Sequence, residues 1–306
     1  MVKCTRVSLN LVDKSVIYGL CYQSKEQDPQ LKGNVIILTG MEEHSSRYAD
    51  FAAFLVNNHY NVYCIDHFGQ GENVSSDLSN RGIWPTSGFR KMVVITDALV
   101  AKLRASLLPI YIFSHSMGSF MAQEYIQRYS GHVSKVVLCG SGSYNPAAGI
   151  GFRLAKLLVH NRNRNKDAKI LKKLMFGGFN KHITNPRTEY DWLSVNEANV
   201  DNYITDPLCG GPTKNCLCYE FLKGLRRLYR PKFLKRIDPK TNIFIISGSE
   251  DPVTNYGKSV QELKNMYEKY GVNNVSTKIY EGYRHEILNE DIKETVYEDI
   301  LEFFNK

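Results

Sequence analysis

A serine at position 116 lies in a sequence context that could make it chemically reactive. It belongs to the pentapeptide Ser-His-Ser-Met-Gly at 114–118, which follows the apolar run at 110–113 and precedes apolar residues at helical spacing. A buried strand that turns abruptly into a helix lifts the residue at the turn above the sheet, and only small side chains fit two positions to either side. Ser114 and Gly118 meet that demand. The pattern therefore predicts that Ser116 is presented as a nucleophile.

A serine nucleophile needs a histidine to take its proton and a carboxylate to hold that histidine in the correct tautomer. When the serine lies in a strand-to-helix turn, the acid and then the histidine follow it in the chain. His285 is the only histidine after the apolar run at 243–246, and Glu250 and Asp251 also follow that run. We favour Asp251, because a proline closes the turn directly behind it. The predicted triad is Ser116, Asp251 and His285, with Glu250 as the alternative acid.

Acyl transfer by a serine also needs two backbone N–H groups aimed at the negative charge that develops on the carbonyl oxygen. Met117 directly follows the serine and supplies one donor. The loop at 39–44, which follows the apolar run at 35–38, is expected to supply the other donor through Met41. Because both donors are main-chain groups, the two methionine side chains can line an apolar pocket. No cofactor and no metal ion is needed for such a reaction.

Short apolar runs separated by helix-period segments must position these residues. Continuous apolar runs are typical of strands buried on both faces, and strands that alternate with helices form parallel sheets. The candidate residues follow such runs, so they lie at the carboxyl ends of strands, where open α/β sheets bind their ligands. The predicted fold class is α/β, a mostly parallel central sheet with helices on both faces. The predicted strands lie at 35–38, 62–65, 110–113, 136–139, 243–246 and 275–280.

The first 30 residues have the alternating pattern of an antiparallel hairpin, which we place at the edge of the sheet. The alternation surrounds Asp13 and Lys14, which we expect to form the turn. Its apolar members are Val7, Leu9, Leu11, Val16, Tyr18 and Leu20.

The strand pattern is interrupted by a long segment of different composition. We assign residues 1–143 and 236–306 to the core that contains the sheet, and residues 144–235 to a helical cap inserted between two strands. Residues 151–240 contain 19 Lys and Arg against 8 Asp and Glu, a net charge of +11, whereas the whole chain carries +8. The basicity of the protein therefore belongs to this segment.

The cap carries apolar and basic residues with two equally open interpretations. The apolar residues could pack against the core, or they could form a lid that meets acyl chains while basic side chains face anionic headgroups. The second interpretation predicts a lipid substrate and peripheral contact with an anionic membrane surface. The apolar residues are Phe152, Leu154, Leu157 and Leu158, and the basic ones are Arg153, Lys156, Arg162 and Arg164.

Several ordered motifs make the chain similar to α/β-hydrolases, and more narrowly to the monoacylglycerol lipase and lysophospholipase group of serine hydrolases. The stretch at 39–48 resembles that group's His-Gly-x-x-Glu-His-x-x-Arg-Tyr, and the stretch at 66–73 resembles Asp-x-x-Gly-x-Gly-x-Ser. The pentapeptide at 114–118 is similar to Gly-His-Ser-Met-Gly. The stretches at 203–208 and 280–285 fit the same group, so the resemblance covers nearly the whole chain.

The resemblance implies an α/β-hydrolase fold with a helical cap. It also implies the triad Ser116, Asp251 and His285, with Met41 and Met117 as oxyanion donors. The activity that it implies is the hydrolysis of carboxylic esters.

The chain departs from the group's motifs at four positions. Thr39 replaces a histidine, Asn73 replaces a serine, and Ser114 and Ser119 replace glycines. None of these changes removes a reacting group. They bear on substrate preference and turnover more than on the class of reaction.

The composition excludes several other classes of protein. The 306 residues are 43% hydrophobic and 23% charged, close to globular averages, which excludes collagen-like, disordered and coiled-coil chains. No run approaches the roughly 18 apolar residues of a membrane-spanning helix, and the N-terminus lacks an apolar signal block. Seven cysteines without paired CxxC motifs argue against a disulfide framework and a zinc site. No nucleic-acid-binding motif accompanies the basic segment. We expect a cytoplasmic protein without a metal or a nucleic-acid partner.

These observations predict a serine hydrolase that cleaves carboxylic esters of monoacylated lipids, either monoacylglycerols or lysophospholipids, through an acyl-enzyme on Ser116. Two alternatives remain at this stage. One is a general short-chain carboxylesterase or an aminopeptidase-like hydrolase, which a small acidic pocket would indicate. The other is a ligand-binding protein that keeps the triad without turnover.

Overall fold

The computed structural model describes residues 2–10, 15–26 and 28–306, and within these ranges it contains eight strands and ten α-helices. Over the same ranges, no helix combines the length and the apolar character that a bilayer span requires. The strands are β1 (Val2–Asn10), β2 (Val16–Ser24), β3 (Gly33–Leu38), β4 (Tyr60–Ile65), β5 (Ile110–His115), β6 (Lys135–Cys139), β7 (Asn242–Gly248) and β8 (Asn274–Tyr280). The helices are α1 (Ala49–Asn57), α2 (Gly88–Leu103), α3 (Met117–Tyr129), α4 (Pro146–Leu158), α5 (Lys169–Phe176), α6 (Glu197–Thr205), α7 (Asn215–Leu228), α8 (Pro231–Leu234), α9 (Lys258–Lys269) and α10 (Lys293–Asn305).

The order of the strands determines where the site forms. The eight strands make one sheet in the order β1-β2-β4-β3-β5-β6-β7-β8. The pairs β1–β2 and β2–β4 are antiparallel, and the six strands from β4 to β8 in this order run parallel. After β3 the chain moves to one side of that strand to form β4 and then to the other side to form β5. The carboxyl ends of β3 and β5 therefore flank a crevice of the kind in which α/β sheets bind ligands.

The apolar runs form strands that are covered on both faces. All residues of β3 and β5 are buried, and alternate side chains point to opposite faces of the sheet. Ile36 and Ile112 belong to the hydrophobic cluster that includes residues of α2, α3 and α9. Val35 and Phe113 belong to a second cluster, with residues of α1 and α10. The predicted fold class is confirmed.

The predicted amino-terminal hairpin corresponds to β1 and β2. Nine residue pairs join these strands, from Val2 opposite Ser24 to Asn10 opposite Val16. The predicted hairpin also includes Leu11 at the end of a strand and Asp13 and Lys14 in the turn. These three residues lie outside the described residues.

Five helices, α4 to α8, lie between β6 and β7, where the sequence predicts a cap. We call residues 144–235 the insertion. It contains a hydrophobic cluster of its own, with Phe152, Leu171 and Cys218 among its members, and a second one around Trp192. The division of the chain into a core and a separate cap stays a prediction.

Candidate active site

Ser116 occupies the turn between β5 and α3 in a backbone conformation that few residues other than glycine adopt. Its φ is 51° and its ψ is −120°. The strand ends at His115 and the helix begins at Met117, so a single residue makes the change of direction. Such strain persists only where the surrounding structure fixes it, and it is typical of functional sites. The turn presents Ser116 to two cavities that meet there.

Close contacts with the neighbouring strands hold the small residues of this turn. A Cβ atom at Gly118 would lie 2.2 Å from a carbonyl oxygen of β3, so no larger residue fits. Ser114 is fully buried, and its hydroxyl donates a hydrogen bond of 2.6 Å to the Val137 carbonyl oxygen. The Ser119 hydroxyl donates a bond of the same length to the Ser116 carbonyl oxygen. These bonds explain how serines replace two motif glycines without disturbing the turn.

His285 and Asp251 are joined by a buried hydrogen bond. His285 Nδ1 lies 2.9 Å from Asp251 Oδ2, and both side chains are buried. Asp251 follows β7 and His285 follows β8, so two adjacent parallel strands bring them together. Glu250, the alternative acid, is exposed to solvent. Of the two carboxylates, Asp251 is the one that contacts the histidine.

The Asp251 carboxylate is itself held in place. The Val253 N–H donates to Asp251 Oδ1 over 2.8 Å, and the Ser247 hydroxyl donates to Oδ2 over 3.3 Å. An ionised carboxylate accepts hydrogen bonds only, so His285 Nδ1 carries the proton in this pair. The other ring nitrogen, Nε2, is then the one that can accept a proton.

Close packing fixes the position of the His285 ring. A Cβ atom at Gly140, whose φ is +59°, would lie 2.8 Å from the His285 ring, so this position requires glycine. The indole ring of Trp192 packs at 5.1 Å from the imidazole ring, centre to centre. His285 Nε2 is buried and has no hydrogen-bond partner among the described residues.

Met41 and Met117 are the residues predicted to supply backbone N–H groups to the oxyanion. Within the part of the chain that the structure describes, neither group donates a hydrogen bond to the protein. The adjacent Gly40 N–H donates to Glu43 Oε1 instead, which fixes the bend of the loop after β3. Met117 is the first residue of α3, and N–H groups in a first helical turn have no acceptor within the helix. Both donors line the same cavity as Ser116.

A buried ionic network behind these residues was missed by the sequence analysis. Arg47 donates two hydrogen bonds of 2.7 Å to the Glu286 carboxylate and one of 3.3 Å to Glu43. His115 Nδ1 lies 2.9 Å from Glu43 Oε1, and His115 Nε2 lies 3.3 Å from the His285 carbonyl oxygen. The network connects the loop after β3 to the loop that carries His285. Its one sequence signal was the Glu-His-x-x-Arg pattern within the stretch at 39–48.

The charges of this network balance one another. Burial disfavours ionisation of Glu43, but His115 and Arg47 outweigh it and hold the pKa of this carboxyl well below its usual range. Burial also opposes the charge on His115, yet the Glu43 carboxylate raises the pKa of this imidazole above its usual value. Burial likewise disfavours ionisation of Glu286, but Arg47 outweighs this effect and holds the pKa of this carboxyl below its usual range. Two carboxylates thus face the Arg47 guanidinium and the His115 imidazole.

Two cavities of different character meet at Ser116. Both are lined mainly by apolar surface, but the charged residues are concentrated in the smaller one. We call the larger, with a volume of about 690 Å³, the apolar cavity and the smaller, with a volume of about 450 Å³, the polar cavity. Side chains lining the apolar cavity include Leu154, Leu174, Met175, Phe179, Phe221 and Leu225. Side chains lining the polar cavity include Glu42, Lys169, Lys172, Lys173, Tyr190 and His285.

The apolar residues expected to contact substrate from the cap are divided among three environments. Leu154 lines the apolar cavity. Phe152 is buried in the insertion's own hydrophobic cluster, Leu158 packs against that cluster, and Leu157 is 81% exposed. Successive helical residues are separated by about 100°, so Phe152 and Leu154 point to nearly opposite sides of α4. The expected single stripe is not formed, and only Leu154 of the four reaches the cavity.

The basic residues proposed to face a membrane also differ among themselves. Arg153, Lys156 and Arg162 are exposed. Arg164 is partly buried and donates to the Trp84 carbonyl oxygen and to the Glu220 carboxylate, both over 3.3 Å. Arg164 therefore serves the packing of the insertion.

One group of side chains has the composition of a metal site. Single ligand atoms of His44, Asp206 and Cys209 lie within 4.8 Å of one another. His44 Nε2 is 2.7 Å from Asp206 Oδ2, and burial holds the pKa of the Cys209 thiol far above its usual range. A thiol binds metals as its thiolate, which this environment disfavours. We therefore assign the His44–Asp206 pair to the attachment of the insertion to the loop after β3.

Comparisons with known proteins place this chain among hydrolases. The model of the Hydrolase_4 family, described as serine aminopeptidase, S33, matches residues 29–292. Monoglyceride lipase of Homo sapiens is 26% identical over 273 residues, which cover 86% of this chain and 78% of that protein. Monoacylglycerol lipase of Mycolicibacterium smegmatis is 25% identical over 282 residues, which cover 92% and 91%.

The fold comparison agrees with the sequence comparisons. A highly thermostable carboxyl esterase from Bacillus coagulans, whose crystal structure holds glycerol, matches with a TM-score of 0.90 and 26% identity. That match covers 99% of this chain and 98% of the esterase. The chain therefore belongs to the Hydrolase_4 (serine aminopeptidase, S33) family of α/β-hydrolases, and it is similar to the monoacylglycerol lipases and lysophospholipases within that fold.

Proposed function

We propose that the protein is a serine esterase that hydrolyses carboxylic esters of monoacylated lipids through an acyl-enzyme on Ser116. The observation that carries this proposal is the position of Ser116 at the junction of a large apolar cavity and a polar one, with His285 lining the latter. Monoacylglycerols and lysophospholipids have this division into one acyl chain and one polar alcohol. The names of the relatives in the two sequence comparisons, both lipases of monoacylglycerols, agree with it.

In the proposed reaction, His285 Nε2 takes the proton of the Ser116 hydroxyl as the serine oxygen attacks the ester carbonyl carbon. Asp251 holds the imidazole ring in the required tautomer and stabilises its positive charge. The carbonyl oxygen becomes negative and accepts hydrogen bonds from the Met41 and Met117 N–H groups. His285 then gives its proton to the leaving alcohol. A water molecule repeats these steps on the acyl-enzyme and releases the fatty acid.

We assign the two halves of the substrate to the two cavities. The acyl chain enters the apolar cavity, where each buried methylene group contributes about 0.8 kcal/mol. The alcohol occupies the polar cavity, next to the imidazole that must protonate it. A short acyl chain would leave most of an apolar cavity of about 690 Å³ unfilled, which argues against a short-chain esterase. An aminopeptidase would bind an ammonium group, which the three lysines of the polar cavity disfavour.

We further propose that residues 144–235 act as a cap and that this cap makes peripheral contact with an anionic membrane surface. Apolar and basic side chains occur together on the exposed face of α4, where Ile150 also lines the apolar cavity. Leu157 is 81% exposed and Ile150 is 66% exposed, and Arg153 and Lys156 are exposed beside them. Apolar residues flanked by cations are typical of helices that lie in a membrane interface.

The decisive experiment compares the wild-type protein with a Ser116→Ala variant on monoacylglycerols, lysophospholipids and short nitrophenyl esters. We expect steady turnover of the long-chain esters by the wild type. We expect a loss of about 10⁴-fold or more in the variant at an unchanged melting temperature, because the only nucleophile of the turn is removed. Near wild-type turnover by the folded variant would contradict the role of Ser116. Fluorophosphonate labelling without turnover by the wild type would indicate a ligand-binding protein.

A further inference from the structure

We infer that the polar cavity binds a phosphate group on the leaving alcohol, so that the substrate is a lysophospholipid with an anionic headgroup rather than a neutral monoacylglycerol. This inference rests on the proposed function, because it assumes that the leaving alcohol occupies this cavity. It concerns the headgroup, which the chemistry at Ser116 does not determine.

Helix α5 forms the wall between the two cavities. Lys169, Lys172, Lys173 and Phe176 line the polar cavity, and their spacing of three and four residues puts them on one side of the helix. Its remaining apolar residues include Leu171, Leu174 and Met175, which line the apolar cavity. A single helix therefore places lysines against one cavity and aliphatic side chains against the other. Such a wall suits a lipid whose acyl chain and charged headgroup diverge from one ester bond.

The ammonium groups of the polar cavity are not fully neutralised by the protein. Lys172 Nζ lies 3.3 Å from the Tyr190 hydroxyl and 3.6 Å from the carboxylate of Glu189. Lys169 and Lys173 form no ion pair with any residue that the structure describes. Two exposed lysines that line the cavity are therefore available to an anionic group.

The carboxylates around the cavity do not cancel these charges. Glu43 and Glu286 are engaged with Arg47 and His115 in the buried network described above. Glu189 is mostly exposed and is shared with Lys172. The cavity therefore has an excess of positive charge beyond its internal pairs.

Glu42 is the remaining carboxyl group, and its environment keeps it from acting as a permanent anion. Its φ of 60° is unusual for a residue with a side chain, and its carbonyl oxygen accepts hydrogen bonds from the Tyr203 hydroxyl and the Gly210 N–H. The Thr213 hydroxyl donates to Glu42 Oε1. Burial raises the pKa of Glu42 to about 7. At neutral pH the group is thus protonated in a large fraction of the molecules.

A phosphate satisfies this arrangement better than a neutral glycerol does. Lysine ammonium groups form charge-assisted hydrogen bonds with phosphate oxygens, which are stronger than bonds between neutral groups. A glycerol in the same place would leave Lys169 and Lys173 without a counter-ion. In the reaction, the bond between the acyl carbon and the alcohol oxygen breaks, the glycerophosphate alcohol leaves with the proton from His285, and water supplies the hydroxyl group of the fatty acid.

The experiment compares two substrates with the same acyl chain, octanoylglycerol and octanoyl-lysophosphatidylglycerol. Both are kept monomeric and free of vesicles, so that attraction to a charged surface plays no part. The quantity measured is the ratio of kcat/KM for the phosphodiester to kcat/KM for the neutral ester. Any general loss of active enzyme cancels in this ratio.

We expect a wild-type ratio well above one and a decrease of about tenfold in the double variant Lys169→Gln/Lys173→Gln, equivalent to about 1.4 kcal/mol. A matched control, Lys235→Gln/Lys240→Gln, removes two exposed lysines outside the cavity lining and should keep the wild-type ratio. A wild-type ratio below one, or an equal decrease in both double variants, would overturn the inference. In either case, turnover of octanoylglycerol that depends on Ser116 would leave the proposed function intact. Absence of turnover on both substrates would instead remove the proposed function, and the inference with it.

Discussion

At the scale of single residues, the site depends on which carboxylate faces the imidazole ring. Asp251 and Glu250 are adjacent in the chain, but Asp251 is fully buried against His285 and Glu250 is exposed. The difference arises because the Val253 N–H and the Ser247 hydroxyl both donate to Asp251. These donors fix the orientation of the Asp251 carboxylate, which in turn can orient a histidine.

We therefore expect Asp251→Asn to reduce kcat by about 10⁴-fold, because an amide at this position favours the wrong imidazole tautomer. Glu250→Gln is the matched control, since it makes the same chemical change one residue away and should retain nearly full activity. Steady-state kinetics on a monoacylated ester measure both. If Glu250→Gln were the more damaging change, the acid would have to be reassigned to Glu250.

Glu42 makes the headgroup preference depend on pH. Burial raises the pKa of this carboxyl to about 7, so the group is mostly neutral below that pH and negative above it. A negative charge in the polar cavity would repel a phosphate and leave a neutral glycerol unaffected. The charged and titratable groups that face Glu42 are Lys172, Arg81, Glu189, Tyr190, Tyr203 and Cys218.

The expected outcome is a decrease in the ratio of kcat/KM for octanoyl-lysophosphatidylglycerol to that for octanoylglycerol as the pH rises through about 7. The phosphodiester keeps one negative charge over this range, and any loss of active enzyme affects both substrates alike, so neither accounts for a change. Glu42→Gln cannot ionise and should give a ratio that is independent of pH. A ratio that changes equally in this variant and the wild type would show that another group is responsible.

At the scale of elements, the site depends on a close approach between α3 and β3. The first turn of α3 passes so close to β3 that a Cβ atom at Gly118 would lie 2.2 Å from one carbonyl oxygen and 2.5 Å from the next. This packing sets the position of the Met117 N–H relative to the loop that carries Met41. The geometry of the proposed oxyanion site therefore depends on the absence of one methyl group.

Gly118→Ala should lower the stability by about 1 to 3 kcal/mol and lower the activity more than the loss of folded protein explains, because α3 must move away from β3. Gly149→Ala is the matched control. Gly149 lies within α4 with no atom in reach of an added Cβ, so the same substitution should stabilise the helix by about 0.5 to 1 kcal/mol. Urea denaturation measures both changes. An equally stable Gly118→Ala variant would show that the helix can shift without cost.

The sequence predicted those parts of the site whose signals are local. The turn at Ser116 and the positions of Asp251 and His285 follow from short motifs at strand ends, so each could be recognised within a few residues. The pairing of Arg47 with Glu286 joins residues that are 239 positions apart, and nothing in either neighbourhood indicates the partner. The same limitation explains why the sequence does not predict how the insertion lines the cavities. The periodicity of α5 indicates a helix with two faces, but it does not indicate which cavity each face contacts.

At the scale of the whole molecule, the basic charge is concentrated in one segment, which includes most of the insertion. Residues 151–240 carry +11, whereas the whole chain carries +8. Three of the four basic residues singled out in the sequence are exposed, and the fourth, Arg164, is bound to Trp84 and Glu220. Long-range attraction would thus orient the protein with its insertion toward an anionic surface.

Neutralising Arg153, Lys156 and Arg162 together should weaken binding to anionic vesicles, because each cation near such a surface contributes about 1 kcal/mol. Arg164 is left unchanged, since its removal would disturb the packing of the insertion. Sedimentation with phosphatidylserine vesicles at low salt measures the binding, and hydrolysis of a soluble nitrophenyl ester reports on the integrity of the site. Lys232, Lys235 and Lys240 are exposed cations of equal total charge, and their neutralisation is the control. If both triple variants lost binding equally, the attraction would reflect net charge alone. If the wild type did not bind at all, the exposed side chains of α4 would have no membrane role.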